Sequence, residues 1–215
     1  MFRQVFDPDN LLWRIIARGV DFVGLGLFWL LLCLPIVTVG PATAALYYTV
    51  VKVFRQKEDG GFGVMWKQFR ANLKQGILAT LICLPFALLF AYGYSIMKLN
   101  TATTAGVVMF VAYWVALLVP AGLFCWLWPV MARFDQPLKD SFRNAFMLSL
   151  RHLPTTFILV LLNLELVIFC LEQWWPVFFC PVLGSLLGSL FQEKIFLKYL
   201  GDEDKAALQG IIEEE

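Results

Sequence analysis

Glu165 is the one ionisable residue deep inside an apolar run, in Leu161-Leu162-Asn163-Leu164-Glu165-Leu166. A carboxylate in hydrocarbon is costly unless it is protonated or paired. Glu165 is therefore a candidate intramembrane polar site for a proton or an ion. The alternative is a structural carboxylate near the outer end of a tilted span, bonded to a headgroup or another helix. Asn163 lies two residues earlier, about 200° round a helix, so the two do not share a face. Charge is the costlier exposure to lipid, so Glu165 is expected to face the bundle interior.

Other reactive groups are sparse. His152 is the only histidine and stands between Arg151 and Leu153, where an interfacial role fits and a His cluster for metal does not exist. Cys33, Cys83, Cys125, Cys170 and Cys180 all lie in apolar runs without a C-x-x-C pair, so they read as small apolar fillers. No P-loop, G-x-S-x-G, H-E-x-x-H or Cys-His arrangement is present. The expectation is a non-enzymatic protein with no metal and no cofactor.

The elements that carry these residues are long and uncharged. Hydrophobic residues make up 60% of 215 positions, against about 45–50% in a soluble domain. The fold class is all-α: a polytopic membrane bundle of about six spans, with amphipathic interfacial helices on the cytoplasmic side. The expected spans are residues 20–37, 42–54, 77–97, 103–131, 153–171 and 177–191, within one membrane domain over 1–200. Residues 201–215 form an acidic tail, taken as solvated. Arg14 and Arg18 before the first run give it the look of a leader. The run is too long for one, and it is read as an uncleaved span.

The stretch Leu34-Pro35-Ile36-Val37-Thr38-Val39-Gly40-Pro41-Ala42-Thr43-Ala44-Ala45 organises the rest. Gly40 permits unusual backbone, and Pro41 suits the first position of a helix. Pro35, Thr38, Gly40, Pro41 and Thr43 form a hairpin motif, in which Thr38 and Thr43 bond backbone groups that water does not reach. Ala42 and Ala45 are small and let the second span lie close on the first. That second run is only about 18 Å long against a hydrocarbon core of about 30 Å. Either the hairpin is buried below the far surface, or Lys52 snorkels and the bilayer thins.

Two polar connections carry apolar stripes. Phe62, Met65, Trp66, Phe69 and Leu73 recur at helical spacing, with Lys67, Arg70 and Lys74 beside them. Phe142, Phe146 and Leu150 do the same, with Lys139, Arg143 and Arg151 around them. Both are expected to lie on the membrane, with Lys67, Arg70, Lys74, Arg143 and Arg151 touching headgroups. Phe69-x-x-x-Leu73-Lys74 matches Phe146-x-x-x-Leu150-Arg151, a hint of an internal repeat. Pro120 is expected to kink the fourth span, and Trp126 and Trp128 to sit in an interfacial belt. Gly184 and Gly188 give the sixth span a small-residue packing face, and a homo-oligomer is compatible with it.

With six crossings, Lys98 is the only one of the 17 Lys and Arg outside the side that holds both termini and both long connections. The positive-inside rule makes that side cytoplasmic. The basic helices suit anionic lipid rather than nucleic acid, because apolar stripes and spans adjoin them.

The hairpin stretch through Leu46, with Phe62…Trp66-Lys67-Gln68-Phe69-Arg70-Ala71-Asn72-Leu73-Lys74-Gln75 after it, resembles the YesL family of predicted bacterial integral membrane proteins. The resemblance covers roughly the first third of the chain. Members are often encoded beside sugar-uptake ABC transporters and glycan-degrading enzymes. The resemblance therefore implies a bacterial plasma-membrane protein that serves carbohydrate import, partnered with the membrane subunits of an ABC importer. It supplies no catalytic residues. The bottom-up alternative is an autonomous small-solute transporter or channel that uses Glu165.

Overall fold

The structure is a computed structural model that describes residues 11–56, 60–99, 103–173 and 175–199. The Asp7–Asn10 helix-start cluster, Glu58-Asp59 of the first turn and the 201–215 tail lie outside the described residues. Among those described there are seven α-helices and no strand: α1 Leu11–Leu32, α2 Val39–Val50, α3 Gly61–Leu99, α4 Thr104–Arg133, α5 Leu138–Arg151, α6 Leu153–Glu172 and α7 Cys180–Phe196. A 3-10 turn, Ile36–Thr38, precedes α2, and a π turn, Val51–Arg55, extends it.

Four helical segments among the described residues are long and apolar enough to cross a membrane: Ile36–Arg55, Gly61–Gly93, Thr104–Arg133 and Leu153–Cys170. The chain is a helical membrane bundle. Helix α7, expected over 177–191, starts and ends later, because a second 3-10 turn, Trp175–Phe178, occupies its expected start. Its last turns stay in the core: Gln192, Glu193, Ile195 and Phe196 are all buried.

Helix α2 is the centre. Nine of its 12 residues are buried, as a helix that is apolar all round must be. One side packs with Leu25, Met65, Phe69 and Val182. The other packs with Trp126, Leu127, Val130 and Phe196. Its most extensive neighbour is α3, rather than the preceding helix α1. A helix enclosed by protein need not match the bilayer thickness, which accounts for its short apolar run.

The first basic connection does not form a separate helix. Residues 61–99 are one helix, with Pro85 inside it. Only part of the expected membrane stripe faces outward. Met65 and Phe69 are buried against α1 and α2, while Phe62 and Trp66 are exposed. No glycine-proline break separates the stripe from the span, so the helix continues and α2 competes with lipid for its apolar face.

Helix α5 packs the other way round. Ser141, Ala145, Leu148 and Ser149 are buried, and Phe146, Met147 and Leu150 are exposed. Phe69 and Phe146 thus face opposite environments, and the two connections are not structural repeats. Trp126 is also no belt residue. It is fully buried, donates from Nε1 to Thr156 Oγ1 at 3.0 Å, and meets the ring of Phe196 edge-on.

Candidate functional site

The hairpin bonds its own loose ends. Helix α1 leaves carbonyls without partners at its C-terminus, and α2 leaves amides at its N-terminus. Thr38 Oγ1 donates to Leu32 O and Pro35 O, both at 2.6 Å. The Gly40 amide donates across the bundle to Thr80 Oγ1 at 3.1 Å, and Thr80 in turn donates to Gly76 O at 2.8 Å. Thr43 Oγ1 donates to Val39 O at 2.7 Å and accepts from the indole of Trp29 at 3.3 Å. Leu34, Pro35 and Ile36 form the exposed tip.

The glycine works differently from expectation. Gly40 is helical, and the only positive φ among the described glycines is that of Gly60. A Cβ on Gly40 would strike Thr80 Oγ1 and the Trp128 ring. A Cβ on Gly76 would lie 2.7 Å from Pro41 Cβ. These two glycines let α2, α3 and α4 meet at close range. Pro41 sits in the third position of α2, inside its first turn, where its missing N–H costs nothing. Ala42 and Ala45 are fully buried, in the cluster shared by α1, α2, α3 and α7.

A cavity of about 510 Å³ opens beside this hairpin, among α1, α2, α4, α6 and α7. Thr43, Tyr47, Asn163, Gly184, Gly188 and Gln192 are among its lining residues, and none of the lining side chains is Asp, Glu, Lys, Arg or His. Several of its donors are engaged within the bundle. Asn163 donates to Leu159 O at 2.8 Å, Ser185 to Pro181 O at 2.8 Å, and Gln192 to Cys125 O at 2.9 Å. Gly184 and Gly188 face α6 through Leu166 and Leu159 while they line this space.

Glu165 is not in the cavity. It is exposed on the outer surface of α6, on the same strip as Leu161, Ile168 and Phe169. The expectation of an inward Glu165 is not met; Asn163, also exposed, is the one of the two that lines the cavity. The 200° argument separates the two faces correctly, but it does not decide which is inward. Asn163 borders the cavity, where its amide donates to Leu159 O and lies near Cys125 and Gly184.

The buried charge sits elsewhere. Glu193 accepts from Arg133 at one oxygen, Nη2 at 2.7 Å and Nε at 3.1 Å, and from the Tyr47 hydroxyl at the other, 3.0 Å. Arg55 donates to Ser189 O at 3.0 Å nearby. Neither Glu193 nor Arg133 stands out among the reactive residues of the sequence. The available signal was a Gln-Glu pair directly after an apolar run that continues in helical register.

Lys67, Arg70, Lys74, Arg143 and Arg151 are all exposed, and two of them lie over aromatic rings, Arg70 over Trp66 and Arg151 over Tyr199, each at 5.8 Å. His152, between α5 and α6, has Nε2 3.5 Å from the Tyr199 hydroxyl. Partial burial, with Lys198 and Arg151 close by, holds its imidazole below the usual value. Among the described residues no cluster of His, Cys, Asp or Glu is arranged to hold a metal ion.

The geometry defines a class: a helical membrane protein with a buried central hairpin helix, an apolar side cavity and a carboxylate turned outward. A family model described as "Protein of unknown function, DUF624" matches residues 22–94. That stretch is the second half of α1, the hairpin, α2 and most of α3, the part held together by Gly40, Gly76 and Thr80. No curated protein and no solved structure matches the chain.

Proposed function

We propose that this chain is a non-enzymatic partner subunit of a membrane complex, docking through the outward face of α6 onto the membrane domain of an ABC-type carbohydrate importer. The observation that carries the reading is Glu165. An exposed carboxylate between Leu161 and Ile168, on a segment apolar enough to span, is costly against lipid and favourable against a helix that offers a cation or a donor.

The cavity supports the same reading. A sugar needs many hydrogen bonds, and this lining offers few, because its hydroxyls donate to the bundle itself. The carbohydrate setting follows the hairpin's resemblance to the YesL family. With six crossings, the charge split puts both termini in the cytoplasm, and the bacterial plasma membrane follows from the same resemblance.

Two experiments together test this. Deletion in the native host should impair growth on one complex carbohydrate and leave growth on glucose unchanged. Purified protein in liposomes should move no sugar by itself, and autonomous uptake there would replace this reading with that of a transporter.

A further inference from the structure

The side cavity is long rather than round. Cys180 and Gln192 both line it, and on one helix they are about 18 Å apart. Leu159 and Cys170 line it over a similar length of α6. One leaflet of hydrocarbon is about 15 Å, half of the bilayer core. The space is thus about as long as one acyl chain, and at about 510 Å³ it lies within the range of roughly 300–1,000 Å³ typical of ligand pockets.

Its mouth is lateral. Val167, one turn from Asn163 on the cavity side of α6, lines the cavity and is 55% exposed. That position lies inside a segment apolar enough to span, so the opening meets hydrocarbon rather than water. Water is a poor filler for this space. A buried water needs about three polar partners, and the lining hydroxyls of Thr43, Tyr47 and Ser185 already donate within the bundle. Left empty, the lining would forfeit dispersion contacts along its whole length.

We propose that the cavity is a binding site for one straight aliphatic chain, entering sideways past Val167 and lying along α7 from Cys180 to Gln192. The ligand chemistry is an alkyl chain. A bilayer phospholipid and a free fatty acid both carry it. The site is independent of the partner face at Glu165.

The test uses the full chain in phosphatidylcholine vesicles with no other protein present. In one arm a phosphatidylcholine carries a diazirine on its acyl chain. In the other a free fatty acid carries it. After irradiation, adducts are assigned residue by residue. Adducts on Gly184 or Ser185 are expected in the wild type, and they should be lost in Ser185→Leu and in Cys170→Phe, which fill the space from two walls. Adducts on the outward residues Leu161 and Phe169 should persist in both variants. Inward labelling in either arm supports the site and names the source. Absence of inward adducts in both arms overturns it. So does equal inward labelling in a variant that melts like the wild type. Because each variant fills a different wall, one that misfolds leaves the other to decide.

Discussion

Arg133 and Glu193 form a buried ion pair, Nη2 to Oε2 at 2.7 Å, with Glu193 1% and Arg133 13% exposed. The pair ties the end of α4 to the end of α7, and Tyr47 ties both to α2. Removing one partner leaves the other's charge without its bidentate ion-pair partner. Arg133→Leu or Glu193→Leu should each cost about 3–5 kcal/mol. The double variant should lose clearly less than the two added together, because no charge is stranded. Melting in mild detergent reads all three. Strict additivity would show that the contact carries no coupling.

Gly40 and Thr80 provide a second test. Thr80→Val leaves the Gly40 amide buried without its acceptor, which should cost about 1–3 kcal/mol. Gly40→Ala pushes a methyl into Thr80 and the Trp128 ring, an overpacking cost of about 1–3 kcal/mol or more. Denaturation in detergent checks both. If Gly40→Ala were as stable as the wild type, α2, α3 and α4 would not meet there.

Ala45 is fully buried at the junction of α1, α2 and α3. Ala45→Leu should cost about 1–3 kcal/mol by overpacking. Unchanged thermal stability would place that face toward lipid.

The helical membrane class, the hairpin and its small residues were legible because each rests on local chemistry: uncharged run length, proline and glycine punctuation, threonines near helix ends. What was not legible depends on which helix ends up in the middle. Gly40 reads as a turn glycine until Thr80 and Trp128, 40 and 88 residues on, are brought against it. Met65 and Phe69 read as a membrane stripe because α2 is not visible as their partner. Glu193 does not stand out in the sequence because its counter-ion lies 60 residues away. Glu165 and Asn163 are placed on opposite faces by helical geometry alone, but only the packing of α4 and α7 beside α6 decides which of them borders the cavity.

His152 gives a pH prediction with a definite sign. Its surroundings favour the neutral ring, so the folded state binds fewer protons than the unfolded one. Its contribution to stability is present above the unfolded value of about 6.5 and is lost as pH falls through it toward the folded pKa. It is the only histidine, so NMR titration of the imidazole is unambiguous. The midpoint should lie below about 6.5 and rise in Lys198→Gln, whose charge is among the causes. A midpoint at or above the free value would contradict the placement beside Arg151 and Lys198.

The central claim is that the Glu165 face of α6 meets another membrane protein. The direct measurement places a photo-crosslinking residue at Leu161, one helical turn from Glu165, in native membranes during growth on the carbohydrate that requires this protein. The account predicts an adduct with a membrane-domain subunit of an ABC importer, lost when Glu165→Leu is added. Crosslinking only to lipid or to a second copy of this chain, or an importer adduct unchanged by Glu165→Leu, would contradict it.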